Sequence, residues 1–187
     1  MKLEAKQRLL SFTPNAWLKT TGKTLKGETL PATAKLVTQE GNLCAYWTPS
    51  VGPMLVTFEN DNRLLARMVL DDYKVVVAVV HPEMVGKGVG RFLYEAALKK
   101  FGKLESSDYL SKGSSSSWAA LCKAHKGVLV VGKREVAIAG FYKDTKGYTF
   151  PILRRANGRK VKLGDLLSSA KGAELEAAEN AFYRIRK

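Results

Sequence analysis

Alternating apolar and polar positions in the first half of the chain predict two β-hairpins. The four strand-like segments are residues 34–39, 43–47, 54–58 and 64–70. A short connection rich in Gly, Asn or Asp separates the two members of each pair, and these residues favour tight turns. The pattern therefore predicts antiparallel strands ahead of the middle of the chain.

A strand, a glycine-rich turn and an amphipathic helix are predicted next. Residues 75–80 contain only Val and Ala, which is typical of a strand buried on both faces. Pro82 cannot donate to a sheet, so this strand is expected to end near His81. Glycines alternate across the turn, and apolar residues then recur at helical spacing. The glycines are Gly86, Gly88 and Gly90, the apolar helix positions are Phe92, Leu93, Ala96, Ala97 and Phe101, and Gly102 suits the helix end.

The second half of the chain predicts a mixture of helices and strands. Strands are expected at residues 103–110, 128–131 and 135–142, and a helix is expected at 112–126. Residues 152–163 predict a hairpin, because Asn-Gly is a strong signal for a two-residue turn. A helical region is expected to start at Gly164 or Asp165, with an apolar stripe of Leu175, Ala178, Phe182 and Ile185. At the other end, residues 1–10 predict a short helix and residues 11–31 a loop.

Positive charge is concentrated toward the two ends of the chain. The net charge of the 187 residues is +14. Residues 1–35 carry seven Lys and Arg against two acids, and residues 142–187 carry eleven against five, so the middle supplies only +3. We therefore predict a basic extension at 1–33, a core at 34–142 and a basic hairpin and helix at 143–187. Such charge attracts nucleic acid or an acidic protein surface, and plain solubility is the alternative explanation.

Several functional classes are disfavoured by composition. The apolar fraction of 45% argues against disorder, and no apolar run approaches the roughly 18 residues of a membrane span. The first residues lack the apolar stretch of a signal peptide. Cys44 and Cys122 lie far apart, and two histidines complete a thin set of metal ligands. We expect reduced core thiols, no metal, no membrane partner and a cytoplasmic location.

The glycine-rich turn has the chemistry of a phosphate site. A strand that leads through such a turn into a helix presents free N–H groups and the positive end of the helix dipole. A Walker A loop is disfavoured, because the order Lys87-Gly88 is reversed and no Ser or Thr follows. A dinucleotide-binding turn needs wider glycine spacing. Glycines that only permit tight packing remain the alternative.

Residues 85–90, V-G-K-G-V-G, resemble the coenzyme A loop of GNAT-type N-acetyltransferases, whose signature is similar to [QR]-x-x-G-x-[GA]. Gly88 and Gly90 match it, whereas Val85 stands where Arg or Gln is expected. The resemblance covers about residues 64–131. It implies an α+β fold with a mixed, mostly antiparallel sheet flanked by helices, and acetyl-CoA as cosubstrate. The implied contacts of acetyl-CoA are Val79, Val80 and His81 for the pantetheine arm, and Val85, Gly86, Lys87, Gly88, Val89, Gly90 and Arg91 around the pyrophosphate.

Catalytic candidates are less defined than the loop. In the family, a tyrosine on the later helix commonly protonates the leaving thiolate, but Trp118 stands near that position and an indole cannot serve. Tyr109 is our preferred acid, Asp72 and Asp108 are candidate bases, and Ser114 opens a serine run for which N-capping is the alternative. His81 is expected to be a hydrogen-bonded structural residue.

Two functions follow. The resemblance implies an acetyl-CoA-dependent N-acetyltransferase that acts on a protein or nucleic acid amine. The alternative is a non-catalytic nucleic-acid- or partner-binding protein on the same fold. Small basic chains of this kind resemble some phage-encoded proteins, which implies a host-takeover or virion role in the host cytoplasm. A third possibility is an RNA-associated protein, although the chain shows no aromatic RNA-binding motif. The candidate nucleic-acid contacts are Arg154, Arg155, Arg159, Lys160 and Lys162, for which a soluble edge hairpin is the alternative.

Overall fold

A computed structural model describes residues 30–48, 53–107 and 110–187. These residues form two compact units, one within residues 1–70 and 77–96 and the other within residues 71–76 and 97–187. The helix and loop predicted for residues 1–31 lie almost wholly outside the described residues, as does most of the predicted basic extension.

The first unit contains both predicted hairpins. Its strands are β1 (Lys35–Glu40), β2 (Leu43–Trp47), β3 (Pro53–Phe58) and β4 (Ala66–Asp71), and the last four residues of β5 (Lys74–Val80). β1, β2, β3 and β4 pair antiparallel in that order. Residues 54–57 of β3 are all buried, so this strand is covered on both faces, and Leu55, Leu64 and Val79 pack together in the core. The hairpin predictions are confirmed.

The predicted burial of β5 on both faces is wrong. Val75 and Val79 are buried, but Val76 is 49% exposed. Successive side chains of a strand point to opposite faces, and the face that carries Val76 is not covered at that point. β5 does end at Val80, immediately before His81, as the position of Pro82 predicts.

Helix α1 (Val89–Phe101) follows the glycine turn, as predicted. The predicted apolar positions are buried, apart from Phe101, which is half-buried. Gly102 ends the helix with a left-handed φ of +71°, and its amide donates to the Leu98 carbonyl at 2.8 Å. A residue with a Cβ adopts that conformation only at a cost, which explains the glycine.

The second unit is built around a mostly antiparallel sheet. Its elements are β6 (Lys103–Ser106), α2 (Lys112–Ala124), β7 (Val128–Val131), β8 (Arg134–Lys143), β9 (Thr149–Arg154), β10 (Lys160–Lys162), α3 (Leu163–Ser169), α4 (Gly172–Glu179) and β11 (Phe182–Arg186). The strand order is β6-β11-β7-β8-β9-β10, and the first residues of β5 pair parallel with β6 at Lys74–Glu105 and Val75–Ser106. The chain is therefore an α+β protein with a mostly antiparallel sheet, as predicted at that level.

The end of the chain differs from the prediction. Phe182 and Ile185 lie on strand β11, not on a helix, because α4 already ends at Glu179. The sequence Phe-Tyr-Arg-Ile-Arg alternates, with Tyr183 and Ile185 buried, and this period fits a strand. β11 lies between β6 and β7, with which it pairs antiparallel.

The turn at Asn157-Gly158 also differs. Arg155 donates its amide to the Arg159 carbonyl at 2.9 Å, which leaves residues 156–158 as the loop instead of a two-residue turn. Gly158 has a φ of +79°, and the Arg159 amide donates to the Asn157 side chain at 3.1 Å. Three-residue hairpin loops place glycine at this left-handed position, so the Asn-Gly signal located the hairpin but not its loop length.

Candidate functional site

His81 links strand β5 to the glycine turn. Its amide donates to the Leu65 carbonyl at 2.8 Å, and its carbonyl accepts from the Met84 amide at 2.8 Å. Its ring Nδ1 accepts from the Glu83 amide at 3.3 Å and caps a single 3₁₀ turn, Pro82–Met84. His81 is therefore a hydrogen-bonded structural residue, and both of its backbone groups are already bonded.

Two glycines of the turn adopt conformations that other residues rarely adopt. Gly86 has a φ of +80° and Gly88 a φ of +84°. A Cβ built on either glycine meets no heavy atom of the described residues within 4 Å. These two glycines therefore serve the path of the backbone more than close packing.

Five amides of this turn have no acceptor among the described residues. The first helical hydrogen bond runs from the Phe92 amide to the Gly88 carbonyl at 3.0 Å, and the Lys87 amide donates to the Met84 carbonyl at 3.2 Å. The amides without an acceptor are those of Gly86, Gly88, Val89, Gly90 and Arg91. Unpaired N–H groups at the start of a helix attract anions. We call residues 85–91 with these amides the glycine loop.

The charges around the glycine loop also favour an anion. Helix α1 has no acidic residue in its first turn and carries Lys99 and Lys100 in its last. Lys87 and Arg91 are exposed, and Arg91 reaches only Glu95, at 4.0 Å. The first turn of α1 therefore supplies no carboxylate of its own to neutralise the positive end of the helix dipole.

Val85 and Gly90 are the first and last residues of the six-residue motif that resembles the coenzyme A loop. A Cβ on Gly90 would lie 3.4 Å from the Val80 Cγ2, so this glycine permits close approach of α1 to β5. Val85 is 69% exposed. An apolar side chain at the first motif position thus projects into solvent, where it adds no polar contact to the amides that follow.

The structure describes two of the four catalytic candidates. Asp108 and Tyr109 lie outside the described residues. Asp72 is exposed in the turn after β4, with a φ of +52°, and Ser114 is half-buried in the first turn of α2. Both belong to the second unit, and within the described residues no hydrogen bond joins them.

The serine run has a packing role that its sequence did not reveal. The N-cap of α2 is Ser111, whose Oγ accepts from the Ser114 amide at 3.1 Å. Ser115 and Ser116 lie inside the helix and bind Thr149 at the start of β9, through its amide and its hydroxyl, each at 3.1 Å. The run therefore fixes the start of α2 on β9, and the N-cap lies three residues before it.

Trp118 is a core residue. It is 1% exposed, and its ring stacks on that of Tyr183 at a centroid distance of 6.2 Å. Burial raises the pKa of Tyr183 above its ordinary value and raises that of the neighbouring Cys122 to about 12. These side chains stay neutral near pH 7, which suits a packing role.

All five predicted nucleic-acid contacts are exposed, and they gather on the β9–β10 hairpin. Lys160 lies opposite Arg154, and Lys162 lies opposite Ile152. No carboxylate of the described residues forms an ion pair with any of the five. The predicted cluster of positive charge is therefore present on one hairpin.

Comparison with protein-family models, curated proteins and solved structures found no match to this chain. None of the helices in the described part of the chain has the length and apolar character that a bilayer crossing requires. In the same residues, no three His, Cys, Asp or Glu side chains cluster as metal ligands would.

Proposed function

We propose that this protein is an acetyl-CoA-dependent N-acetyltransferase that acts on an amine of a macromolecule. The observation that carries the proposal is the glycine loop, in which five amides without an acceptor among the described residues stand at a helix N-terminus, beside two glycines whose Cβ positions are open. A pyrophosphate has the charge and the acceptor oxygens to satisfy such a set of donors.

The sheet gives a place for the pantetheine arm of coenzyme A. Among the described residues, β5 pairs with β6 at Lys74 and Val75 alone. The pantetheine arm is a chain of amides, and the edge of a strand is a surface on which amides bind. The glycine loop follows at the end of the same strand, which is the order that a pantetheine followed by a pyrophosphate requires.

The strand connections give a second line of support. Between β5 and β7 the chain runs strand, helix, strand, helix, strand, and β11 returns to lie between β6 and β7. A mixed, mostly antiparallel sheet flanked by helices is what the resemblance to GNAT-type enzymes implies. The β8–β10 strands and helices α3 and α4 are then additions between the last two core strands.

The reaction needs little chemistry from the protein. The amine attacks the thioester carbonyl carbon, the C–S bond breaks, and the amine proton goes to a base while the thiolate gains a proton. Asp72 and Asp108 are the proposed bases, Tyr109 is the proposed acid, and Ser114 is a further polar candidate. Trp118 and Tyr183 have no part in proton transfer, since both are buried in the core.

Isothermal titration of the full chain with acetyl-CoA tests the cosubstrate site. Gly88→Glu places a side chain at a left-handed φ and a carboxylate beside the amides, and we expect it to weaken binding at least about a hundredfold, because hydrogen bonds to charged groups contribute about 1.5–3 kcal/mol each. Gly41→Glu is the matched control, since Gly41 also has a positive φ with open space around it and lies at the tip of the first hairpin. Equal affinity for both variants, or no binding by the native protein, would contradict the site.

Incubation with labelled acetyl-CoA and cell lysate tests the reaction. Transfer of label to protein or nucleic acid supports the enzyme. Acetyl-CoA binding without any transfer, under conditions in which a known acetyltransferase transfers label, would favour the non-catalytic binding protein on the same fold.

A further inference from the structure

The β8–β10 ribbon has one covered face and one face with mixed aromatic and basic side chains. Residues directly opposite each other in neighbouring strands share a face, as do alternate residues along a strand. Thr149, Pro151 and Leu153 form the buried face. The intervening residues of β9 point the other way.

Register assigns the members of the second face. Tyr142 lies opposite Phe150, Lys162 opposite Ile152, and Lys160 opposite Arg154. Tyr148 precedes β9, with its ring centroid 6.4 Å from that of Phe150. We call this set the aromatic–basic face, and its members are Tyr142, Tyr148, Phe150, Arg154, Lys160 and Lys162.

The three rings form a continuous row that is not buried. The centroids of Tyr142 and Phe150 are 5.9 Å apart, and all three rings remain partly accessible. The Tyr142 hydroxyl accepts from the Gly164 amide at 3.1 Å, which fixes its ring at the start of α3. Lys162 Nζ lies 5.2 Å from the centroid of that ring. Lys112 Nζ likewise lies 5.7 Å from the centroid of the Tyr148 ring, so a cation lies over each of the two tyrosine rings. A row that combines a hydrogen-bonded ring with cations over neighbouring rings is a preorganised surface.

Positive charge predominates around this row. Asp144 and Asp165 flank it in sequence, and Asp144 Oδ1 accepts from the Tyr148 amide at 2.8 Å. Residues 145–164 contain six Lys and Arg and no Asp or Glu. Within the described residues, Arg154, Lys160 and Lys162 have no carboxylate partner. Exposed cations and partly exposed rings therefore lie next to each other on this face.

We infer that the aromatic–basic face binds single-stranded nucleic acid. Bases stack on the tyrosine and phenylalanine rings, and the cations contact phosphates of the same strand. A duplex keeps its bases stacked on each other, and an acidic peptide has no bases, so neither uses the rings. This inference is independent of the acetyl-CoA site, because it rests on other residues in another unit.

Fluorescence anisotropy with a labelled dT12 oligonucleotide tests the inference on the full chain. We expect the native protein to bind the oligonucleotide at least about fivefold more tightly than a 12-base-pair duplex at the same salt concentration. Tyr148→Leu with Phe150→Leu keeps apolar bulk but removes the flat rings, and we expect at least about a fivefold loss for dT12 with little change for the duplex. Equal losses for the strand and the duplex would overturn the inference, as would no loss for either.

Charge variants complete the experiment. Arg154→Ala with Lys160→Ala should reduce the slope of log affinity against log salt by about 1.4, since each phosphate contact to a single strand contributes about 0.7. Lys100→Ala with Lys133→Ala removes the same charge from exposed positions elsewhere and should leave the slope almost unchanged. Equal effects of the two pairs, or competition by poly-glutamate as strong as that by unlabelled dT12, would indicate general charge attraction and contradict the inference. Thermal unfolding of each variant checks that it is folded.

Discussion

The glycine loop and the aromatic–basic face both suit phosphate, but they are built from different groups. The loop offers main-chain amides whose direction is set by Gly86, Gly88 and the start of α1. The face offers side-chain cations and rings that strand register brings together. One surface thus depends on backbone conformation, and the other depends on side-chain identity.

This difference predicts how each surface responds to change. Substitution of an exposed side chain of the loop, such as Val85, should leave the amides in place, whereas a Cβ at Gly88 should disturb them. On the aromatic–basic face, truncation of a ring or a cation removes the group that would contact the ligand. Fixed amides also act at short range, whereas exposed cations act through a field that salt screens.

The largest expected effect concerns the support beneath the aromatic–basic face. Trp118 holds α2 against Tyr183 of β11, and α2 also binds β9 through its serines. We expect Trp118→Ala to lower the free energy of unfolding by about 3–5 kcal/mol, measured by urea denaturation. Trp118→Phe keeps a ring and should lose less than half as much. Wild-type stability of the alanine variant would show that this ring is not a core residue.

The next largest expected effect is that salt weakens ligand binding differently at the two surfaces. Three phosphate contacts, one for each cation of the aromatic–basic face, imply that the affinity for dT12 falls about twentyfold between 50 and 200 mM salt. Acetyl-CoA binding to the loop should fall less than about tenfold, because close amide contacts are screened less. Anisotropy and calorimetry at four salt concentrations measure the two slopes. Parallel slopes would mean that both ligands use the same exposed charges.

Local signals in the sequence located most elements of the first unit. The two hairpins, the end of β5 and the limits of α1 follow from turn residues, Pro82 and a helical period. The conformation of the glycine loop was predictable for the same reason, since it depends on a few consecutive residues. The exposure of Val76 was not predictable, because it depends on whether another element covers that face.

The second unit depends on contacts between distant residues. β11 lies between β6 and β7, and nothing in five residues near the end of the chain specifies those partners. The same applies to the aromatic–basic face. Tyr142, Tyr148 and Phe150 match no RNA-binding motif in sequence, and they form a row only because β8 pairs with β9 in this register. The nearby cations were predictable because they cluster in sequence.

Two glycines show how differently the units use this residue. A Cβ on Gly127 would lie 2.6 Å from Cys122 Sγ and 2.8 Å from Ile185 Cγ2. Gly127→Ala should therefore destabilise the protein by about 1–3 kcal/mol through overpacking, measured by urea denaturation. Gly90→Ala meets only Val80 Cγ2, at 3.4 Å, and gains helix propensity, so its effect should stay within about 1 kcal/mol. Equal effects of the two substitutions would contradict this distinction.

The smallest expected effect concerns the paired charges of the second unit, in contrast with the unpaired cations of its aromatic–basic face. Glu135 accepts from Arg184 at 2.6 Å and from Arg186 at 2.5 Å. Arg186 and then Arg184 lower the pKa of Glu135 from 4.5 to about 2. A carboxyl whose pKa is lower in the folded protein stabilises the fold above its unfolded pKa and loses that contribution as the pH falls toward its folded pKa.

The melting temperature at a series of pH values checks this pairing. Between about pH 4.5 and pH 2, the native protein should lose more stability than Glu135→Gln, which has no carboxyl to protonate. At pH 7 the variant should melt slightly lower, because exposed ion pairs contribute little. Glu179→Gln, at an exposed position at the end of α4, is the control and should follow the native curve. If Glu135→Gln follows the native curve too, Arg184 and Arg186 do not pair with the Glu135 carboxylate in solution. The arginines of this cluster would then be as unpaired as the cations of the aromatic–basic face.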